Sequence, residues 1–333
     1  LPNKKVQTKI IQSLSFDPWY NLALEEYLLN KVSENQMILY LWQNENTVVI
    51  GRNQNPWKEC RCRELESKGG KLARRLSGGG AVFHDLGNLN FTFIMDKKLY
   101  NLENQLKIIL RAVKKLGIEA EFSGRNDLTV QGKKFSGNAF YFDTSSAYHH
   151  GTLLINTDFQ KLNRYLQVSK EKLNSKGIDS IQSRVVNLSS IRSGITIEDM
   201  VKSLEESFIE TYGETIKEIH KAIFTEEIEK LYHKYASWEW RYGETPSFDI
   251  TFQNRFSWGD IDIGLKLENG YIKSSLIYSD AIDYDLIQRI SQSLEGVPFC
   301  KEDIINRIES IPIKSNNRII IEDLKEWFST KNI

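Results

Sequence analysis

The sequence predicts an α+β fold with a large N-terminal part and a smaller C-terminal part. Three observations lead there. Strand-like and helix-like stretches alternate without the regular βαβ rhythm of a doubly wound sheet. Helix start and stop signals recur along the chain. An Asn-Gly pair between two alternating apolar runs opens a further set of elements late in the sequence. The 333 residues suffice for one large domain and a smaller one, and 40% hydrophobic with 26% charged residues is ordinary for a globular chain.

The first helix runs from Pro18 to about Val32. Asp17 can cap it, Pro18 suits the first helical position, and Trp19, Leu22, Ala23 and Glu26 share a face. "MILYLWQ" and "TVVIGR" then read as a hairpin around residues 44–46. "KLARRL" and "GAVFHDLGNLNFTFIM" follow as strands, and a helix spans about 102–116 with Gly117 as its stop. Strands return at 119–122, 127–130, 134–142 and 147–156. Thr196 and Asp199 form a capping-box pattern for a helix that Gly213 ends. After "SWEWRYGETPSF", the run "DIDIGLKLENGYIKSSLIYSD" is a hairpin about Asn269-Gly270, and helices follow near 284–295, 302–309 and 322–330. The Gly243–Pro246 stretch marks a boundary, giving domains 1–244 and 248–333.

Charge and cysteine usage narrow the function classes. Lys+Arg and Asp+Glu are both 44, so the basic excess that non-specific nucleic-acid binding needs is missing. No apolar run reaches the ~20 residues of a membrane helix. Three cysteines, with Cys60 and Cys62 as the one C-x-C pair, make neither a disulfide framework nor a zinc pattern, and point to a reducing compartment. The chain opens on Leu1 rather than Met, which fits a processed or trimmed form.

Chemistry concentrates in three windows. In Arg74-Arg75-Leu76-Ser77-Gly78-Gly79-Gly80, three glycines let backbone approach a ligand and aim N–H groups at an anion, with guanidinium forks beside them. It is neither a Walker loop nor G-x-G-x-x-G; a glycine-rich turn with surface arginines is the plainer reading. Phe83-His84-Asp85 follows, where His84 either positions a loop or ligand or acts as a base. The second window is Gly124-Arg125-Asn126-Asp127 and Lys133-Lys134-Phe135-Ser136-Gly137-Asn138-Ala139, and a solvated hairpin tip is the alternative for the two lysines. The third is His149-His150-Gly151-Thr152. Adjacent strand residues face opposite ways, so the two histidines do not share a metal, and no metal site is expected.

In this order, "RRLSGGGAVFHDLGNLNFTF", "GRNDL", "KKFSGNAF" and "HHGTLLIN" resemble the lipoate–protein ligase A / lipoyltransferase family. "DPWYNLALEE", "LYLWQNENTVVIGRNQNPWKEC", "SKGIDSIQSRVVNL" and "SWEWRYG" extend the resemblance over essentially the whole chain, and it looks most similar to the animal mitochondrial lipoyltransferase branch. The resemblance implies a biotin/lipoate ligase-like catalytic domain of mixed sheets flanked by helices, and a small α+β accessory domain. Leu22, Trp42, Val49, Arg75, Ser77, Gly78, Gly79, Gly80, Val82, His84 and Asn88 would line the lipoyl and phosphate region. Asn126, Asp127, Lys134, Gly137, Ala139, His150 and Thr152 would surround the reacting carbonyl and nucleotide, and Ser175–Leu188 would fold over the adenylate.

The implied activity is transfer of a lipoyl group from lipoyl-AMP to a lysine of an acceptor protein, with Lys134 as the electrostatic catalyst. Phe140-Tyr141 stands where bacterial members tend to carry an arginine, and the Val130–Lys134 link is shorter than theirs. Both favour a transferase over a complete ligase, which would also use ATP and Mg²⁺. No permanently bound cofactor is implied. The implied partners are lipoyl domains of 2-oxo acid dehydrogenase acyltransferase subunits and the glycine-cleavage H protein. Neither nucleic acid nor membrane is a partner, the chain is expected as a monomer, and the mitochondrial matrix is the expected location.

Overall fold

A computed structural model describes residues 6–123, 127–167, 185–242, 249–268, 270–313 and 318–331. The chain divides into two compact units. The first comprises Leu1–Ile50, Pro56–Arg74 and Ala81–Arg241, and the second Gly51–Asn55, Arg75–Gly80 and Tyr242–Ile333. The boundary expected at Gly243–Pro246 lies outside the described residues.

The first unit is built on an eight-stranded mixed sheet. Its strands are β1 (Gln7–Ser13), β2 (Gln36–Trp42), β6 (Asn88–Asp96), β7 (Glu121–Phe122), β8 (Asp127–Val130), β9 (Lys133–Phe142), β10 (Ser146–Leu154) and β11 (Ile216–His220), in the order β11-β1-β2-β6-β10-β9-β8-β7. β1 runs parallel to both β11 and β2; the pairs from β2 to β7 are antiparallel. A second sheet joins β3 (Thr47–Ile50), β4 (Lys71–Arg74) and β5 (Val82–His84) in the order β4-β3-β5. β2 and β3 are therefore not the hairpin expected around residues 44–46. Each finds its partners elsewhere, β2 between β1 and β6 and β3 between β4 and β5, because longer, better-buried pairings outweigh proximity in sequence.

β6 explains why the large sheet has two unlike faces. Leu89, Phe91, Phe93 and Met95 alternate onto one face, where they meet Ile108, Ile109, Ala112 and Val113 of the helix Leu102–Lys115 and Met200, Leu204 and Phe208 of the helix Ile197–Tyr212. Each such side chain contributes about 1.5–3 kcal/mol of burial. Asn88, Asn90 and Thr92 alternate onto the other face and are just as buried. The helix Pro18–Lys31 covers that face through Thr92 and Tyr40, which bond its Glu25 and Asn21.

The expected helix signals operate. Asp17 accepts from Trp19 N–H with Pro18 in the first turn, Thr196 and Asp199 form a reciprocal capping box, and Gly117 and Gly213 take positive φ of 75° and 92°. The cysteines are free thiols. Arg74, buried at the end of β4, donates from Nε to Trp240 O and from Nη2 to Arg241 O, while Trp240 Nε1 donates back to Arg74 O. Trp240 and Arg241 of the "SWEWRYG" motif are thereby stapled to Arg74. Among the described residues, no helix is long and apolar enough to cross a membrane.

His149 and His150 diverge as strand alternation requires. His149 turns into the apolar face, where its nitrogens lie 3.0 Å from Gln105 Oε1 and 2.8 Å from Asn138 Oδ1, with Phe91 edge-on. Burial pushes its pKa down from 6.5 to about 3. The folded state thus keeps the ring neutral while the unfolded chain takes up a proton below pH 6.5. Stability should fall as pH drops from 6.5 towards 3, by up to ~1.4 kcal/mol per unit from this group, with no effect above that window. Urea unfolding at a series of pH values should show a flatter acid limb for His149→Gln. An unaltered slope would place the acid sensitivity in other groups.

The second unit carries β12 (Ile250–Phe256), β13 (Gly259–Glu268) and β14 (Tyr271–Ser279) as an antiparallel sheet. Helices Tyr284–Ser293, Lys301–Glu309 and Arg318–Ser329 bury Ile287, Ile290, Ile304, Leu324 and Phe328 in the same core as Ile263 and Leu265. The β13–β14 hairpin and the three helices fall where expected; Gly270 takes a φ of 79°, and Asn269 lies outside the described residues. β1, β11 and β12 were not expected. β11 has five residues and β1 and β12 seven each, and polar residues such as Gln7, Lys9, Gln253 and Arg255 interrupt their apolar pattern.

Candidate active site

The polar face of the large sheet holds Trp42, Asn88, Asp127, Lys134, Gly137, Ala139, His150 and Thr152 from among the expected site residues. Strand pairing sets Trp42 opposite Asn90 and Asn90 opposite Thr152. Thr152 Oγ1 accepts from Gly137 N–H at 3.3 Å, and Gly137 pairs with Asp127. Trp42, Asn90, Thr152, Gly137 and Asp127 thus form one row across five strands. At about 4.8 Å per strand, the part from Gly137 to Asn90 runs about 10 Å, the reach of an extended medium-length acyl chain, and Trp42 lies one strand beyond.

Lys134 stands at one end of this row. Its Nζ lies 2.7 Å from Asp127 Oδ1 and 2.9 Å from where a Cβ on Gly137 would sit. A bulge makes this possible. Leu128 faces Ser136 while Thr129 faces Lys134, so Phe135 is an extra residue and sinks into the apolar core. Lys134 then shares a face with Gly137, three residues on, which simple alternation forbids. The Val130–Lys133 turn consists of Gln131 and Gly132 with φ of 51° and 73°, the two positive values a tight hairpin needs. The Lys134 side chain is 37% exposed and that of Asp127 38%, so the ammonium is half-buried rather than buried as expected. Lys133 is exposed.

At the other end, a hydrogen-bond chain fixes Trp42. Its Nε1 donates to Thr92 Oγ1 at 3.1 Å, Thr92 donates to Glu25 Oε1 at 2.7 Å, and His150 Nδ1 lies 2.9 Å from the same oxygen. Glu25 is 1% exposed and was missed by the sequence reading, which gave the helix face to Glu26. Glu26 instead pairs with Lys234 at 2.7 Å. The spacing Asn21–Glu25, two polar residues one turn apart among Leu22, Ala23, Leu24, Leu28 and Leu29, is the signal that could have found it. His84 meets Trp42 edge-on at 6.0 Å and bonds Asn44, which brings the β3–β5 strands with Val49 and Val82 to this end of the row. Asp85 is occupied with the backbone N–H groups of Gly87 and Asp158. Leu22 and Ala139 are buried, Ala139 directly opposite His150.

Arg75, Ser77, Gly78, Gly79 and Gly80 belong to the second unit. The Arg75 guanidinium folds back on its own loop, donating to Ser77 Oγ, Gly78 O and Gly80 O at 2.7–3.0 Å. Gly78 is obligatory, since a Cβ there would stand 2.5 Å from Ala281 O, and Gly79 takes a φ of 89°. Gly79 N–H donates to Ala281 O at 3.3 Å rather than aiming outward as expected, and Gly80 is open. Asn126 lies outside the described residues, as do residues 175–184 of the expected covering loop. That loop's described end is tied to the site, with Val186 N–H donating to Lys134 O at 2.9 Å.

The comparisons with known proteins bear on the family and the fold. Residues 17–209 match the lipoyl protein ligase A/B catalytic domain, and residues 245–328 match the bacterial lipoate protein ligase C-terminus. Lipoate-protein ligase A of Psychrobacter cryohalolentis is 40% identical over 97% of this chain and 98% of its own length. The crystal structure of P. falciparum LipL1 in complex with lipoate superposes with a TM-score of 0.85 at 32% identity, over 97% of this chain and all of that one. A bipartite lipoate protein ligase from Thermoplasma acidophilum shares the fold, with a TM-score of 0.62 at 24% identity over 74% of this chain and all of that one. With a catalytic-domain match over more than half its length and close similarity end to end, this chain belongs to the lipoate-protein ligase family.

Proposed function

We propose that this protein transfers the lipoyl group of lipoyl-AMP to a lysine of an acceptor lipoyl domain and releases AMP. The observation that carries this reading is the Lys134 ammonium, held by Asp127 above a glycine at the head of a buried row of acyl-chain length. An acyl-adenylate has an electrophilic carbonyl and a good leaving group. The acceptor amine attacks the carbonyl carbon, the new C–N bond forms, and the C–O bond to phosphate breaks with its electron pair leaving on AMP. The surplus amine proton passes to Asp127 or to water. Negative charge grows on the carbonyl oxygen and the departing phosphate, and Lys134 donates to it. Asp127 aims Lys134. The row from Thr152 to Trp42 carries the tail, with Leu22, Val49, Val82 and Ala139 supplying apolar contact and His84, Asn88 and His150 polar contact.

The two-residue Gln131-Gly132 turn and the Phe140-Tyr141 pair support a transferase over a complete ligase. In this proposal it is of the mitochondrial kind and acts in the matrix with no resident metal or cofactor. A second reading has its own support, since the Psychrobacter relative is named a ligase. On that reading the chain also forms the adenylate from lipoate, ATP and Mg²⁺. The Thermoplasma ligase forms a lipoylation system with its E2 lipoyl domain, which supports the same class of acceptor here. Two assays with purified protein and a lipoyl domain decide the matter. Lipoyl-AMP alone should suffice for modification, and lipoate with MgATP should give little product. Equal product from both would establish the complete ligase, and none from either would end the proposal.

A further inference from the structure

Two buried amides on the polar face of β6, one of them on the tail row, lack a full set of partners among the described residues. Asn88 and Asn90 are 0% and 1% exposed on the polar face of β6. Asn88 Nδ2 donates to Asn90 Oδ1 at 2.9 Å, which leaves Asn88 Oδ1 and Asn90 Nδ2 unmatched among the described residues. Turning both amides over moves the free donor to Asn88 and the free acceptor to Asn90, so the pair presents one free donor and one free acceptor either way. Buried polar groups are almost always hydrogen-bonded, so a pair that is not points to something absent from the bare chain. Asn90 sits in the row between Trp42 and Thr152, two strands from Gly137. A tail whose carbonyl lies at Lys134 therefore reaches Asn90 with its far end.

We propose that Asn88 and Asn90 form a specificity-determining amide pair that holds a sulfur-bearing tail end and disfavours an all-carbon one; this rests on the acyl-transfer reading. A sulfur lone pair accepts an N–H hydrogen bond, which a methyl or methylene group cannot do. The neighbouring Trp42 ring, fixed by Thr92, suits the same atom, because sulfur contacts aromatic rings favourably. An all-carbon tail of similar length would expel water from the amides and leave them bare. A site built around a hydrogen bond rejects the analogue that lacks the partner more strongly than a purely apolar tunnel does.

The test compares lipoic and octanoic acid by melting-temperature shift, and lipoyl-AMP with octanoyl-AMP by kcat/KM. The wild type should be raised more by lipoic acid and should favour the lipoyl donor by about tenfold. Asn90→Leu, close in shape, should bind both acids alike and bring the ratio near one, through slower lipoyl and faster octanoyl transfer. Asn90→Ser, which keeps a hydroxyl donor, should fall between. Equal shifts and rates in the wild type, or an undiminished preference in Asn90→Leu, would overturn the proposal. If the wild type transfers neither group, the acyl-transfer reading fails. The melting shifts then decide for or against the amide pair separately.

Discussion

Lys134→Ala should lower kcat for lipoyl transfer by about 10²–10³-fold while the melting temperature stays near that of the wild type. The size follows from what the residue does. Removing one preorganised donor to a developing oxyanion typically costs that much, and Lys134 is the cation bonded to Asp127 at the head of the row. The insensitivity of the fold follows from position. The side chain is 37% exposed and its partner Asp127 is 38% exposed, so an unpaired Asp127 can be hydrated. Exposed pairs of this kind contribute about 0–1 kcal/mol. Single-turnover transfer with saturating lipoyl-AMP isolates the chemical step. A loss confined to KM would instead make Lys134 a binding residue.

Gly137→Ala should be nearly as damaging by a different route. The added methyl would stand 2.9 Å from Lys134 Nζ and 3.0 Å from its Cε, both at the far end of a flexible side chain. The lysine must swing aside while the strand does not. A displacement of about 1 Å at the reacting centre can cost ~10²-fold, so kcat should fall by about 10–100-fold at nearly unchanged stability. Double-mutant analysis separates this from simple misfolding. Combined with Lys134→Ala, the glycine change should add almost nothing, because both act through the same ammonium. Additive losses would show that Gly137 matters for some other reason, such as space for the carbonyl itself.

How much of this was legible in the sequence depends on whether the deciding partners were local. Asp17, Thr196 with Asp199, Gly117 and Gly213 act within one turn of the helix they bound, and all were readable. The divergence of His149 and His150 follows from strand geometry alone. The separation of β2 from β3 was not readable, because β6 and β4 compete for them from residues far along the chain. Glu25 was missed for the same reason: it becomes a buried partner only when Thr92 and His150 arrive on strands 67 and 125 positions away. The β8–β9 bulge is subtler. Lys134 was chosen over Lys133 by resemblance, but its place above Gly137 depends on one extra residue in the pairing, and no periodicity announces that.

The most direct measurement is a crystal structure of the protein soaked with lipoyl-AMP or a non-hydrolysable analogue. The acyl carbonyl oxygen should lie about 3 Å from Lys134 Nζ, with the carbonyl over Gly137 and the tail running past Thr152 to Asn90 and Trp42. Density for the acyl chain anywhere but along that row, or a Lys134 ammonium out of reach of the carbonyl and phosphate, would contradict the account.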